Sequence, residues 1–123
     1  DLFLDTHPYN AGTTASDALR MGLPVLTYLG SSAVSRHAAS ILNALNLPEL
    51  ITATEEEYEK LAIELAKDPE KLKNIKDKLV GNLPIAPLYD TPMFTRYLES
   101  AYSMMYDRYQ RGLDPDHIYA ESI

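Results

Sequence analysis

The 123 residues contain no cysteine, so disulfides and thiolate metal sites are excluded. There is also no tryptophan, and only two phenylalanines stand beside nine tyrosines. Positive charge is scarce: 11 Lys and Arg face 18 Asp and Glu, for a formal net charge of −7. That balance counts against DNA, RNA or an anionic membrane as partner, because each is bound through excess cationic charge. It leaves room for a diphosphate, which backbone amides and a helix end can hold locally. No apolar run is long enough to span a membrane and no signal peptide is recognisable, so a cytoplasmic setting is expected. The three histidines are scattered without metal-ligand spacing, and neither a metal nor any other cofactor is expected. Repeats and low-complexity segments are lacking as well.

What is present is organised around Leu2-Phe3-Leu4-Asp5-Thr6, which runs through Pro8-Tyr9-Asn10-Ala11-Gly12 into Thr13-Thr14-Ala15-Ser16-Asp17. An apolar strand, a polar turn and a helix start follow one another. The spacing predicts Thr14 as N-cap with Asp17 in the Glu position of a capping box. Ala18, Leu19 and Met21 are the expected buried side of this helix, and Gly22 its stop. Pro24 to Tyr28 reads as a second strand, and a helix is expected from about Val34 to Leu45. Leu47 to Ile51 leads into a short third strand. Thr54 with Glu57 is a cleaner capping box, and Asp68-Pro69 opens a further helix whose apolar side is Leu72, Ile75, Leu79 and Val80, ending at Gly81. After an irregular stretch from Pro84 to Pro92, the spacing of Phe94, Tyr97, Leu98, Ala101, Met104 and Met105 marks a long last helix ending at Gly112.

Two strand–loop–helix units and a third strand define an α/β fold, a short parallel sheet with helical cover and a long C-terminal helix. It amounts to half of a Rossmann-like doubly wound domain. The chain enters its first strand almost at once, so we expect it to be a piece of a longer protein. Leu2 to Leu4 is then an exposed sheet edge, and with the uncovered apolar face of the last helix it predicts self-association or else a last helix folded back over its own core.

Ligands of open parallel sheets sit beyond the C-terminal strand ends. Of the two loops there, His7 to Gly12 is better equipped than Leu29 to Ser35. Gly12 admits close approach, Thr13 and Thr14 carry N–H and hydroxyl donors, and Asp17 is placed one turn on to accept from ribose hydroxyls. The competing reading is that Thr14 and Asp17 only cap their helix. His7 and Arg36 are candidates for ligand contact, although a lone histidine is more often structural or solvent-exposed and Arg36 could simply pair with a carboxylate.

Asp5-Thr6, Asn10, Thr13-Thr14, Asp17-Ala18-Leu19, Gly22-Leu23-Pro24-Val25, Gly30, Ser35-Arg36 and Ala38-Ala39-Ser40 together resemble O-GlcNAc transferases and the related SPINDLY-type proteins. The resemblance continues through Glu49-Leu50-Ile51, Glu57-Tyr58, Pro87-Leu88, Leu98-Glu99 and Pro115-Asp116-His117. It implies a GT-B architecture, with this chain as the C-terminal portion of the nucleotide-sugar-binding lobe, residues 1–123. The implied reaction is inverting, metal-independent transfer of N-acetylglucosamine from UDP-GlcNAc to Ser or Thr of a protein acceptor, in a parent with tetratricopeptide repeats. Gly12, Thr13 and Thr14 would meet the UDP diphosphate and Asp17 the ribose, with no catalytic residue in the chain itself and no transfer by the chain alone. The family's usual histidine before the threonine pair is Gly12 here, and its usual Glu after the loop glycine is Ser31. Alternatives are a relative using GDP-fucose, a nucleotide-sugar epimerase, which would need other carboxylates, or a non-catalytic interaction module with the same fold.

Overall fold

The computed structural model describes residues 1–121. Its order is β1 (Phe3–Leu4), α1 (Thr13–Arg20), β2 (Val25–Tyr28), α2 (His37–Ala44), β3 (Ile51–Thr52), α3 (Glu55–Lys67), α4 (Pro69–Asn82) and α5 (Thr91–Gln110). Short 3-10 turns at Ala33–Ser35, Pro48–Leu50 and Pro87–Tyr89 punctuate it. The strands form one parallel sheet in the order β1-β2-β3, with Phe3 opposite Val25 and Thr27 opposite Ile51. The expected α/β class, the short parallel sheet and the long last helix are all present.

Residues 1–88 form one compact unit and the residues from Tyr89 onward another. In the first, β2 is the central strand, and its Val25, Leu26 and Thr27 are fully buried. Leu19 of α1, Ala38, Ile41 and Leu42 of α2, Leu65 of α3 and Leu79 of α4 supply the surrounding core. The predicted face of α2 is therefore correct, although the helix starts at His37 and not at Val34. On α1 the expectation fails in part. Ala15 and Leu19 are buried, whereas Met21 lies past the last turn and is 85% exposed. Val80 is likewise exposed on α4. Gly81 does not stop α4, which runs through it to Asn82.

Caps built within one turn form as predicted. The Thr54 hydroxyl accepts from the Glu57 N–H (3.1 Å), and the Glu57 carboxylate reaches back to the Ala53 N–H (2.9 Å), one residue before the position a strict capping box uses. Asp68 accepts from the Lys71 N–H (3.0 Å) ahead of Pro69. Glu55, Glu56 and Glu57 line the exposed first turn of α3, where the helix dipole favours them. Gly22 takes φ +81°, the left-handed geometry that closes α1.

In the second unit Asp90 caps α5 through the Met93 N–H (2.9 Å), and Gly112 at φ +66° ends it. Phe94, Tyr97, Leu98, Met104 and Met105, the predicted apolar side, are exposed. No helix among the described residues is long and apolar enough to cross a membrane.

Candidate functional site

The loop from β1 to α1 is built on Asp5. Asp5 is 6% exposed, and one carboxylate oxygen accepts from the Thr6 N–H (2.9 Å) and the Ala11 N–H (2.8 Å). The other accepts from the Thr27 hydroxyl of β2 (2.8 Å), so the carboxylate pins both ends of the loop and the neighbouring strand. The Tyr58 hydroxyl of α3 donates to the Asp5 carbonyl (2.9 Å). Asn10 is a second buried fixture. Its side-chain amide donates to the Thr6 carbonyl (2.9 Å), its backbone N–H donates to the Val34 carbonyl (2.9 Å), and its side-chain oxygen accepts from the Ala38 N–H (3.4 Å). The two loops at the C-terminal strand ends are thereby joined. The His7–Pro8 peptide is cis, and the His7 ring stacks on Tyr28 with centroids 4.1 Å apart.

This scaffold presents the start of α1. Its N-cap is Gly12, not Thr14, and no side chain caps it. Thr13 and Thr14 are instead the first two helical residues. The reason is that the Asp5 carboxylate holds the Ala11 N–H, which makes the chain turn two residues earlier than local propensity suggests. The outward-pointing amides of the first turn thus have no intrahelical acceptor. Thr13, Thr14 and Asp17 are exposed, and their side chains make no hydrogen bond within the described residues. Their i, i+3 and i, i+4 spacing places all three on one face. The capping role considered for Thr14 and Asp17 is therefore excluded.

The remaining candidates divide. His7 packs on Tyr28 and stands with Asp5, Glu55 and Tyr58 around a cavity of about 230 Å³. Among the described residues Arg36 pairs with no carboxylate. Its guanidinium donates to the Gly30 carbonyl (2.9 Å) and braces its own loop. No cluster of three or more metal-ligating side chains occurs among the described residues. The part of the site that sequence reasoning missed is its frame, Asp5, Asn10 and Tyr58. A carboxylate and an amide bracketing a strand-end turn were the available signal for the first two, whereas Tyr58 is 53 residues distant in the chain.

Burial first, and then the negative charge of Asp5, raise the pKa of the Tyr58 phenol. A phenol raised in the folded state contributes stability that is complete below its unfolded value near 10 and is lost as pH rises through the folded value. Urea midpoints of the wild type should therefore fall more steeply above about pH 10 than those of Tyr58→Phe. Parallel alkaline limbs for the two proteins would contradict this role.

A parallel α/β sheet whose first strand–helix turn presents an open helix N-terminus beyond the strand ends defines a Rossmann-like lobe. Residues 1–98 match glycosyl transferase family 41, and the chain belongs to that family. It is 39% identical over 115 residues to a probable UDP-N-acetylglucosamine–peptide N-acetylglucosaminyltransferase SPINDLY of Hordeum vulgare, covering 94% of this chain and 12% of that protein. Against a UDP-N-acetylglucosamine–peptide N-acetylglucosaminyltransferase of Caenorhabditis elegans the identity is 36% over 118 residues, 96% of this chain and 10% of the relative. The fold superposes on a mutant of the Thermobaculum terrenum O-GlcNAc transferase with TM-score 0.82 and 37% identity, covering 90% of this chain and 22% of that one. The expected GT-B relationship is met by this match. The chain spans about an eighth of the barley relative's length.

Proposed function

We propose that this chain, residues 1–123, is the C-terminal portion of the nucleotide-sugar-binding lobe of a protein O-glycosyltransferase. The parent would transfer N-acetylglucosamine from UDP-GlcNAc to Ser or Thr of protein acceptors, with inversion and without a metal. One observation carries the placement of the donor. Thr13, Thr14 and Asp17 share an exposed face at the uncapped start of α1, with no side-chain hydrogen bond among the described residues, in a chain of family 41. In this reading the first-turn amides, with the two threonine hydroxyls, meet the diphosphate beside the Gly12 N-cap, and Asp17 accepts from the ribose hydroxyls. The helix terminus then stabilises the negative charge that builds on the departing UDP, an interaction stronger in the transition state than in the bound donor.

Titration of the labelled chain with UDP, GDP and AMP, followed by amide NMR, tests the site. UDP is expected to shift Gly12 to Asp17 at millimolar concentration and to do so before AMP. Stronger response to GDP would favour a GDP-fucose-using relative. Shifts remote from Thr13, or equal response to all three, would sink the donor-site reading and favour a non-catalytic module.

A further inference from the structure

His37, just past the second loop, lies 25 positions after Gly12 and is the first residue of α2. A Cβ placed on Gly12 would come 2.9 Å from the Cε1 of His37 and 3.2 Å from its Nδ1. The imidazole thus occupies the space over the start of α1 that a side chain at position 12 would take. Its ring nitrogens have no hydrogen-bond partner among the described residues, and the residue is exposed. The backbone next to it is fixed. The Ala38 N–H donates to the buried Asn10 side chain (3.4 Å), and Asn10 in turn donates its own N–H to the Val34 carbonyl (2.9 Å).

We infer that His37 is a specificity-determining residue for the donor, supplying an imidazole N–H to the second phosphoryl group of a nucleoside diphosphate whose first is held by the amides of α1. The inference rests on the donor-site reading above. An imidazole carries at least one N–H donor in either protonation state, and it needs no metal to meet a phosphate oxygen. In that reading the amides and threonine hydroxyls of α1 take one phosphoryl group. With His37 lying against Gly12, the site reaches a second, which separates a diphosphate from a monophosphate.

The test compares UDP, UMP and uridine binding to the wild type, His37→Ala and His37→Gln, with amide spectra confirming that each variant keeps its fold. A hydrogen bond to a charged group sets the expected size, about a tenfold loss of UDP affinity in His37→Ala. UMP and uridine affinities should stay unchanged, and His37→Gln, which keeps a side-chain N–H, should regain part of the loss. In the wild type the imidazole 15N signals of His37 should move with UDP and not with uridine. Undiminished UDP binding by His37→Ala, or equal losses for UDP and UMP, would overturn the role of His37 and leave the donor site standing. Failure of the wild type to bind UDP at the start of α1 would overturn both.

Discussion

Replacing Asp5 by Ala is expected to lower the stability of the first unit by about 3 kcal/mol, the size set by stranding buried donors that had an ionised acceptor. The carboxylate accepts from two backbone N–H groups and the Thr27 hydroxyl, and Thr27 is fully buried in the central strand. Alanine leaves the Thr27 hydroxyl without its acceptor where water has little access. Asp5→Asn separates charge from shape. Its amide oxygen can still take the Thr6 and Ala11 N–H groups, while its NH2 can donate to the Thr27 oxygen. That variant should lose only about half as much, and its Ala11 amide should stay protected from hydrogen exchange. Urea unfolding followed by NMR of core amides measures both. An Asp5→Ala midpoint indistinguishable from wild type would refute the carboxylate's role as the fixture of the loop.

Gly30→Ala should cost about 2 kcal/mol by overpacking. The backbone of Gly30 is not in the left-handed region, so space alone decides the outcome. An added Cβ would collide with the Ser35 hydroxyl and come 2.6 Å from the Ser35 Cβ and 2.9 Å from the Cε1 of His7. Ser35 cannot give way cheaply. It is buried, its hydroxyl bonds the Ser32 carbonyl (2.9 Å) and accepts the Ser32 N–H (3.0 Å), and its carbonyl accepts the Gly30 N–H (2.9 Å). Relief would have to come from both loops at once, since His7 belongs to the first and Ser35 to the second. Gly30→Ala is therefore expected to weaken UDP binding as well as the fold. Thermal midpoints and UDP titrations check the two effects together. A variant with wild-type stability would mean that the loops are not packed as tightly as the Gly30 contacts require.

The residues themselves determined whatever depends on near neighbours. Thr54 and Asp68 accept N–H groups three residues on, so α3 and α4 begin where their local chemistry dictates. The apolar spacing of Ala38, Ile41, Leu42 and Leu45 likewise identified the buried face of α2 before its first residue was known. Family membership was also legible, because the quoted residues recur in order along most of the chain. Tertiary structure decided the rest. The N-cap of α1 moved from Thr14 to Gly12 because the carboxylate of Asp5, just after β1, holds the Ala11 N–H, and that shift released Thr14 and Asp17 from capping. Met21 and Val80 fit an apolar stripe in sequence, yet both point away from the core, since helical spacing names a face without saying how far the cover extends. The approach of His37 to Gly12 was hidden for a related reason. It depends on two loops brought side by side by parallel strand pairing and by Asn10, and nothing in either loop alone encodes the distance.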